Sequence, residues 1–313
     1  MVESKHKWKA WLYLSPAIIL LLVFTVWPII NTVRMAFLEN YNSMGAVGGK
    51  IYAFGIGNFK QVLDYKLFLN CLGNTMLLTV LTVPLSTILA LLIAVCLNAI
   101  KPLQRVLQTI FFLPYVTNSI AIGMVFAAMF NMVGSAFGGE NEIVVTAGII
   151  NNVIEFFGGE AVNWINAGST YAANITVMVV YIVWNALPFK ILILLGGLQS
   201  INKQYYDAAR VDGTRRSRVF TKITVPLLSP MLAYVVITGF IGGFKEYSSI
   251  VGIFGEHMGP AGDAKRLNTM VGFIYDSLST QQGRASAAAL ILFGIIFVVT
   301  MINLYVSKKK THY

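Results

Sequence analysis

The sequence predicts an all-α protein that crosses a membrane six times, with both termini in the cytoplasm. Three observations predict it. Hydrophobic residues make up 57% of the 313-residue chain and charged residues only 12%, with a mean hydropathy of +0.71. Soluble domains are about 45–50% apolar and about 25% charged, so this chain lacks the polar surface that keeps a globular protein in water. Apolar runs long enough to cross a ~30 Å hydrocarbon core at ~1.5 Å per residue recur six times. Basic residues are distributed unevenly between those runs.

The first run, residues 11–30, follows Lys5, His6, Lys7 and Lys9. That layout imitates a signal peptide, but the run exceeds the usual ~7–15-residue core, contains Pro16 and is followed by no A-x-A cleavage pattern. It reads as a retained span, with Trp8, Trp11 and Tyr13 at one interface and Trp27 near the other. The remaining runs lie at about 75–97, 106–132, 172–195, 227–253 and 285–306. Between the first two, Phe59, Val62, Leu63, Leu67, Phe68 and Leu72 recur at helical spacing, predicting one or two short amphipathic helices over 58–73. Gly138-Gly139 and Gly158-Gly159 mark outer-loop turns. Asn174-Ile-Thr176 matches a glycosylation sequon but falls inside an apolar run, which argues against its use. No internal repeat stands out.

An even number of spans places both termini, the 2–3 loop and the 4–5 loop on one side. That side carries fourteen of the lysines and arginines, including Lys203, Arg210, Arg215, Arg216, Arg218 and Lys222 in the 4–5 loop. The opposite side carries seven, and its stretch 134–170 has no Lys or Arg but holds Glu140, Glu142, Glu155 and Glu160. The excess of basic residues marks the cytoplasmic face.

The same inventory excludes several functions. A net charge of +10 in so apolar a chain reflects cytoplasmic retention of basic residues rather than nucleic-acid binding. Cys71 and Cys96 form no CxxC motif and read as two reduced thiols packed in a helix bundle. His6, His257 and His312 are scattered, so no metal site can be built from them. No Asp or Glu lies near the middle of a predicted span, which leaves a proton relay without parts. Lys190 and Lys245 do fall within predicted spans, each eighteen positions in, or about 27 Å along at ~1.5 Å per residue. A lysine there either carries its ammonium out to the headgroups or lines a central polar path.

The stretch 198–230 differs in kind from an ordinary basic loop. Ser200 or Asn202 is placed to cap a short helix through Tyr205–Val211, and Gly213 tolerates the positive φ of a turn. A second helix then presents Val219, Phe220 and Ile223 on one face, and Pro226 and Pro230 mark the start of span 5. The predicted product is a helix–turn–helix with the small residues Ala208 and Ala209 at its exposed end.

Tyr206-Asp-Ala-Ala-Arg-Val-Asp-Gly213, followed by Phe220, Ile223, Pro226 and Pro230, closely resembles the EAA loop of ABC importer permeases, with Asp207 in place of the usual Glu. Asn70-Cys-Leu-Gly-Asn-Thr75, Thr109-Ile-Phe-Phe-Leu-Pro-Tyr115, Leu194-Leu-Gly-Gly-Leu-Gln-Ser-Ile201, Gly259-Pro260 and Arg284-Ala-Ser-Ala287 are similar to stretches of the carbohydrate branch, of the maltose and glycerol-phosphate type. The resemblance implies a type I importer bundle, a single permease domain over residues 1–313 in the bacterial inner membrane, with no catalytic residues. It implies docking on cytoplasmic ATP-binding subunits through Tyr206, Asp207, Ala208, Ala209, Arg210, Asp212, Gly213 and Phe220. It further implies a second homologous permease subunit, an extracytoplasmic solute-binding protein, and ATP used by the partner, with no cofactor on this chain.

The chain has no GxxxxGK[ST]; the nearest approach, Gly48-Gly49-Lys50, is followed by Ile51. Sugars are held by hydrogen-bonding side chains and aromatic faces in apolar pockets. Spans 4 and 5 offer Trp184, Asn185, Lys245 and Tyr247 for such a path, with Gly239, Gly242 and Gly243 permitting close helix approach. A permease of this kind for a non-sugar or phosphorylated solute, such as glycerol phosphate or sialic acid, would share these features. A secondary transporter is the more distant alternative.

Overall fold

The computed structural model describes residues 7–39, 41, 52–100, 104–134 and 145–310. Lys5, His6, Gly48-Gly49-Lys50, Lys101, Gly138-Gly139, Glu140, Glu142 and His312 lie outside them. The chain divides into two compact units, Met1–Leu69 with Gly272–Phe293, and Asn70–Val271 with Gly294–Tyr313.

In the first unit, α1 (Lys7–Leu21) passes through a π-helical turn, Leu22–Val26, into α2 (Trp27–Ala36). Pro28 lacks an N–H and its ring crowds the carbonyl four residues back; the wider π turn just before it absorbs the mismatch. Most side chains of this rod are exposed, Trp11 at 69% and Phe24 at 73% among them, as a span bathed in lipid requires. The amphipathic stretch forms α3 (Gly57–Asp64) and the first turn of α4 (Lys66–Ala99). Val62 and Phe68 are fully buried, and Phe59 packs on Phe37 at 5.1 Å. Asn58 Nδ2 donates to the carbonyls of Ala36 and Leu38 at 3.0 and 2.7 Å. The guanidinium of Arg284 covers the rings of Tyr65 and Phe273 at 5.3 and 5.8 Å, a pair of cation–π contacts.

The second unit contains α5 (Gln104–Val116), α6 (Ser119–Phe130), a short hairpin of β1 (Met132–Gly134) and β2 (Val145–Ala147), and α7 (Ile149–Phe156). Then come α8 (Tyr171–Ser200), α9 (Lys203–Val211), α10 (Arg216–Val219), α11 (Val225–Leu227), α12 (Ser229–Phe244) and α13 (Ser248–Phe254). α14 (Met270–Leu278) and α15 (Gln282–Lys310) complete the chain, with most of α14 and the first part of α15 belonging to the first unit.

Among the described residues, four helices are long and apolar enough to cross a membrane: Trp8–Ala36, Lys66–Ala99, Tyr171–Ser200 and Gln282–Lys308. Two bent helix pairs are also apolar enough, and bring the number to six where each pair is one span. Gln108–Val116 and Ser119–Phe130 meet at 102°, and Arg216–Leu227 and Ser229–Phe244 at 67°. The first bend falls inside the run read as one span, 106–132. Asn118 there is extended, and its Oδ1 accepts from the backbone N–H of Ile120 and Ala121, so it caps a new helix. The run 227–253 also divides, because α12 ends at Phe244 and α13 restarts at Ser248, with Glu246 Oε1 accepting from Ser249 N at 3.3 Å. α13 crosses α6 where Gly123 and Gly252 meet: a Cβ on Gly123 would stand 2.6 Å from the Gly252 Cα.

Two apolar clusters fill this unit. One gathers Leu78, Phe126, Met178, Tyr181 and Ile250; the other gathers Ala90, Ala94, Ile191, Leu194 and Leu228. Tyr181 lies edge-on to Phe126 at 5.0 Å and donates its hydroxyl to the Ser119 carbonyl at 2.7 Å. Asn74 and Thr75, from the Asn-Thr stretch singled out in the sequence, tie α4 to the chain before α14. Asn74 Nδ2 donates to the carbonyls of Arg266 and Asn268 at 2.9 Å, and Thr75 Oγ1 accepts from Met270 N at 3.0 Å. Asn174 is fully buried and bonded to Trp164 and Ser169, so its sequon is closed to modification. Cys71 is buried and Cys96 exposed, so only the first is packed within the bundle.

Candidate functional site

The loop between α8 and α12 folds as its sequence predicts in outline. Asn202, not Ser200, caps α9: its Oδ1 accepts from Gln204 N at 3.0 Å, whereas Ser200 bonds back to Gly197. The helix ends at Gly213, with φ +63°. Gly213 N donates to the Arg210 carbonyl at 3.1 Å and Thr214 N to the Ala209 carbonyl at 2.9 Å, the paired bonds of a Schellman cap. Across this turn Tyr206 and Thr224 share a hydroxyl–hydroxyl bond of 3.2 Å, which locks α9 against the returning strand of helix. That return consists of α10 and a π turn, Phe220–Thr224, placed just before Pro226 as the first π turn is before Pro28.

The fold distributes the predicted loop residues over two faces. Tyr206, Arg210, Gly213 and Phe220 line a recess of about 620 Å³ together with Val95 and Thr224. Asp207, Ala208 and Asp212 face outward, Asp207 bridged to Arg210 at 3.7 Å. Ala209, expected beside Ala208 at the exposed end, is 5% exposed, because its position one residue along α9 turns it into the loop's own packing.

A second concavity, about 260 Å³, opens between the two apolar clusters, bounded by α4, α5, α8 and α12. Asn185 lines it, alone of the four path residues named from the sequence. Trp184 packs on Phe126 at 5.2 Å, Lys245 is exposed at the end of α12, and Tyr247 packs with the cluster around Phe126.

The residues that sequence reasoning missed are Tyr115 and Phe189, whose rings stack at 5.8 Å and 17°, the hydroxyls of Ser86 and Thr238, and Glu246. Tyr115 closes one of the stretches quoted for the family resemblance, and that position was the available signal. Gly239 and Gly243 bring α12 onto α4: their added Cβ atoms would meet Val83 Cγ1 at 3.1 Å and Thr79 Cγ2 at 2.8 Å. Gly242 instead faces the opening.

Lys190 does not reach the headgroups. It is 4% exposed and lies in the cavity wall, where Nζ donates to Ser86 Oγ at 2.7 Å, Thr87 Oγ1 at 2.9 Å and the Val83 carbonyl at 3.2 Å. The distance argument from the sequence fails because α8 continues to Ser200, which leaves Lys190 ten residues, about 15 Å, short of that end.

Residues 76–312 match the family described as binding-protein-dependent transport system inner membrane component. The chain belongs to that family. It is thus a multi-pass component of an inner membrane. The permease is 29% identical over 308 residues to the arabinooligosaccharides transport system permease protein AraP of Halalkalibacterium halodurans, covering 97% of this chain and 89% of the relative. It is 28% identical over 294 residues to the lactose transport system permease protein LacF of Rhizobium radiobacter, covering 94% and 91%. Its fold matches a chain from a bacterial ABC transporter involved in the import of the acidic polysaccharide alginate, with a TM-score of 0.77, 20% identity and 98% of both chains covered.

Proposed function

We propose that this permease forms, with a second homologous subunit, the path for a carbohydrate in an ATP-driven importer. The observation that carries the reading is the family match over residues 76–312, which contains the cavity and the whole loop 198–230. The sugar-transport names of AraP and LacF support the solute class. Stacked Tyr115 and Phe189 offer aromatic faces, and Asn185 and Thr238 offer hydrogen bonds, the combination that sugar hydroxyls and ring faces need.

In this reading residues 1–313 act as one transmembrane domain whose six spans include the two bent pairs. An extracytoplasmic solute-binding protein delivers the sugar. Cytoplasmic subunits bind and hydrolyse ATP, and this chain catalyses nothing and holds no cofactor. They grip the outward face of α9, where Asp207, Ala208 and Asp212 stand exposed, and pull the loop as a rigid unit. Tyr206, Ala209 and Phe220 hold that unit's shape from within, Gly213 makes its turn, and exposed Arg210 stands at its edge beside Asp207. The path residues are Asn185 with Tyr115, Phe189 and Thr238; Trp184, Lys245 and Tyr247 stand behind or beside them.

Asp207→Lys tests the coupling half, because it reverses a charge on the exposed face and, apart from an exposed bridge to Arg210, leaves the residues of the recess as they are. In the assembled importer, co-purification of the ATP-binding subunits and uptake of a labelled oligosaccharide should both fall at least tenfold, with the permease still at normal abundance in the membrane. Normal assembly and uptake would remove the loop from the mechanism.

A further inference from the structure

Lys190 is a buried cation whose three hydrogen-bond partners are all neutral. Ion pairs join Arg210 to Asp207 and Arg266 to Asp263, and among the described residues no carboxylate lies within 4.0 Å of Lys190. Its seat is specifically shaped. A Cβ on Gly239 would stand 3.1 Å from Val83 Cγ1 and 3.2 Å from Nζ, a tight fit against the seat of the ammonium. Ser86 and Thr87, which accept from it, pass their own protons to the carbonyls of Thr82 and Val83, at 2.6 and 2.7 Å. The ammonium therefore has no spare proton to give a ligand, but its charge is fixed on the wall of the cavity. An uncompensated charge in such a place costs folding free energy, and inside a membrane it marks a functional position.

Glu246 lines the same cavity. It lies in the break between α12 and α13, and its carboxylate is not within 4.0 Å of Lys190. The cavity thus has Lys190 in its wall and Glu246 elsewhere on its lining, with Asn185, Tyr115 and Phe189 among its remaining walls. With Glu246 ionised, an anion next to Lys190 is attracted more strongly than it is repelled by that carboxylate, because the interaction falls with distance.

We propose that Lys190 makes this permease selective for carbohydrates bearing an acidic group, bound with that group toward Lys190 and away from Glu246. The proposal rests on the carbohydrate reading above. It makes Lys190 a specificity-determining residue that acts through space, and Glu246 the residue that sets the direction of the bound sugar.

The test is equilibrium binding to the purified importer complex with two probes, a uronic-acid disaccharide and its carboxyl-reduced neutral counterpart. The acidic probe should bind about tenfold more tightly. Lys190→Met, which keeps the stem and leaves Ser86 and Thr87 their backbone bonds, should abolish the difference by weakening the acidic probe alone. Glu246→Gln should tighten the acidic probe and leave the neutral one unchanged. Equal or tighter binding of the neutral probe overturns the role of Lys190 while leaving the carbohydrate reading intact, as does a preference that survives Lys190→Met. If Lys190→Met fails to assemble, Glu246→Gln decides, and an unchanged acidic-probe affinity overturns the proposal. Binding of neither probe overturns the carbohydrate reading and the proposal with it.

Discussion

Single residues in this permease are constrained for distinct physical reasons, and two glycines show the difference. At Gly213 nothing lies within 4 Å of an added Cβ, so the constraint is the backbone's φ of +63° alone. A β-branched side chain in that conformation costs on the order of 1–3 kcal/mol. Gly213→Val should loosen the cap of α9 and lower uptake and ATPase co-purification several-fold, while Gly213→Asn, which tolerates left-handed backbone, should retain most of both. At Gly123 the constraint is space. A Cβ there would meet the backbone of Gly252, which has no rotamer with which to move aside. Gly123→Leu should therefore separate α6 from α13 and lower the midpoint of thermal unfolding in detergent by several degrees, with Gly123→Ala intermediate. The sequence identifies Gly213, because turn chemistry is local. It does not single out Gly123, because the partner glycine lies 129 positions away and a glycine in an apolar run has several explanations.

At the scale of elements, hydropathy locates where apolar helix exists but carries no information about its direction. The run 106–132 is continuous in composition and bent by 102° in space. The break is written in Thr117-Asn118-Ser119, a capping sequence in the midst of apolar residues, which a window average erases. Lys190 was illegible for a related reason: α8 is apolar on nearly every side, so periodicity gives no face and leaves the inward direction of one lysine undetermined. The loop was legible because its residues alternate polar, small and turn-forming types at fixed spacing. Even there the division of Ala208 from Ala209 required knowing which side of α9 its returning partner covers.

For the whole molecule, the distribution of basic residues sets the orientation in the membrane. In a background lacking Cys71 and Cys96, Glu160→Cys should react with a membrane-impermeant maleimide on intact cells, and Ser217→Cys only after permeabilisation; both positions are exposed. The opposite pattern would invert the reading and place α9 outside, where no ATP-binding subunit could reach it. Between the two faces lies the cavity, where the hydroxyls of Ser86 and Thr238 already donate to carbonyls of their own helices, at 2.6 and 2.7 Å. Such a hydroxyl exchanges its internal partner for a passing one with little change in the number of bonds made. In the proposed path, contacts of a neutral sugar hydroxyl with these two groups are relinquished about as readily as they are accepted.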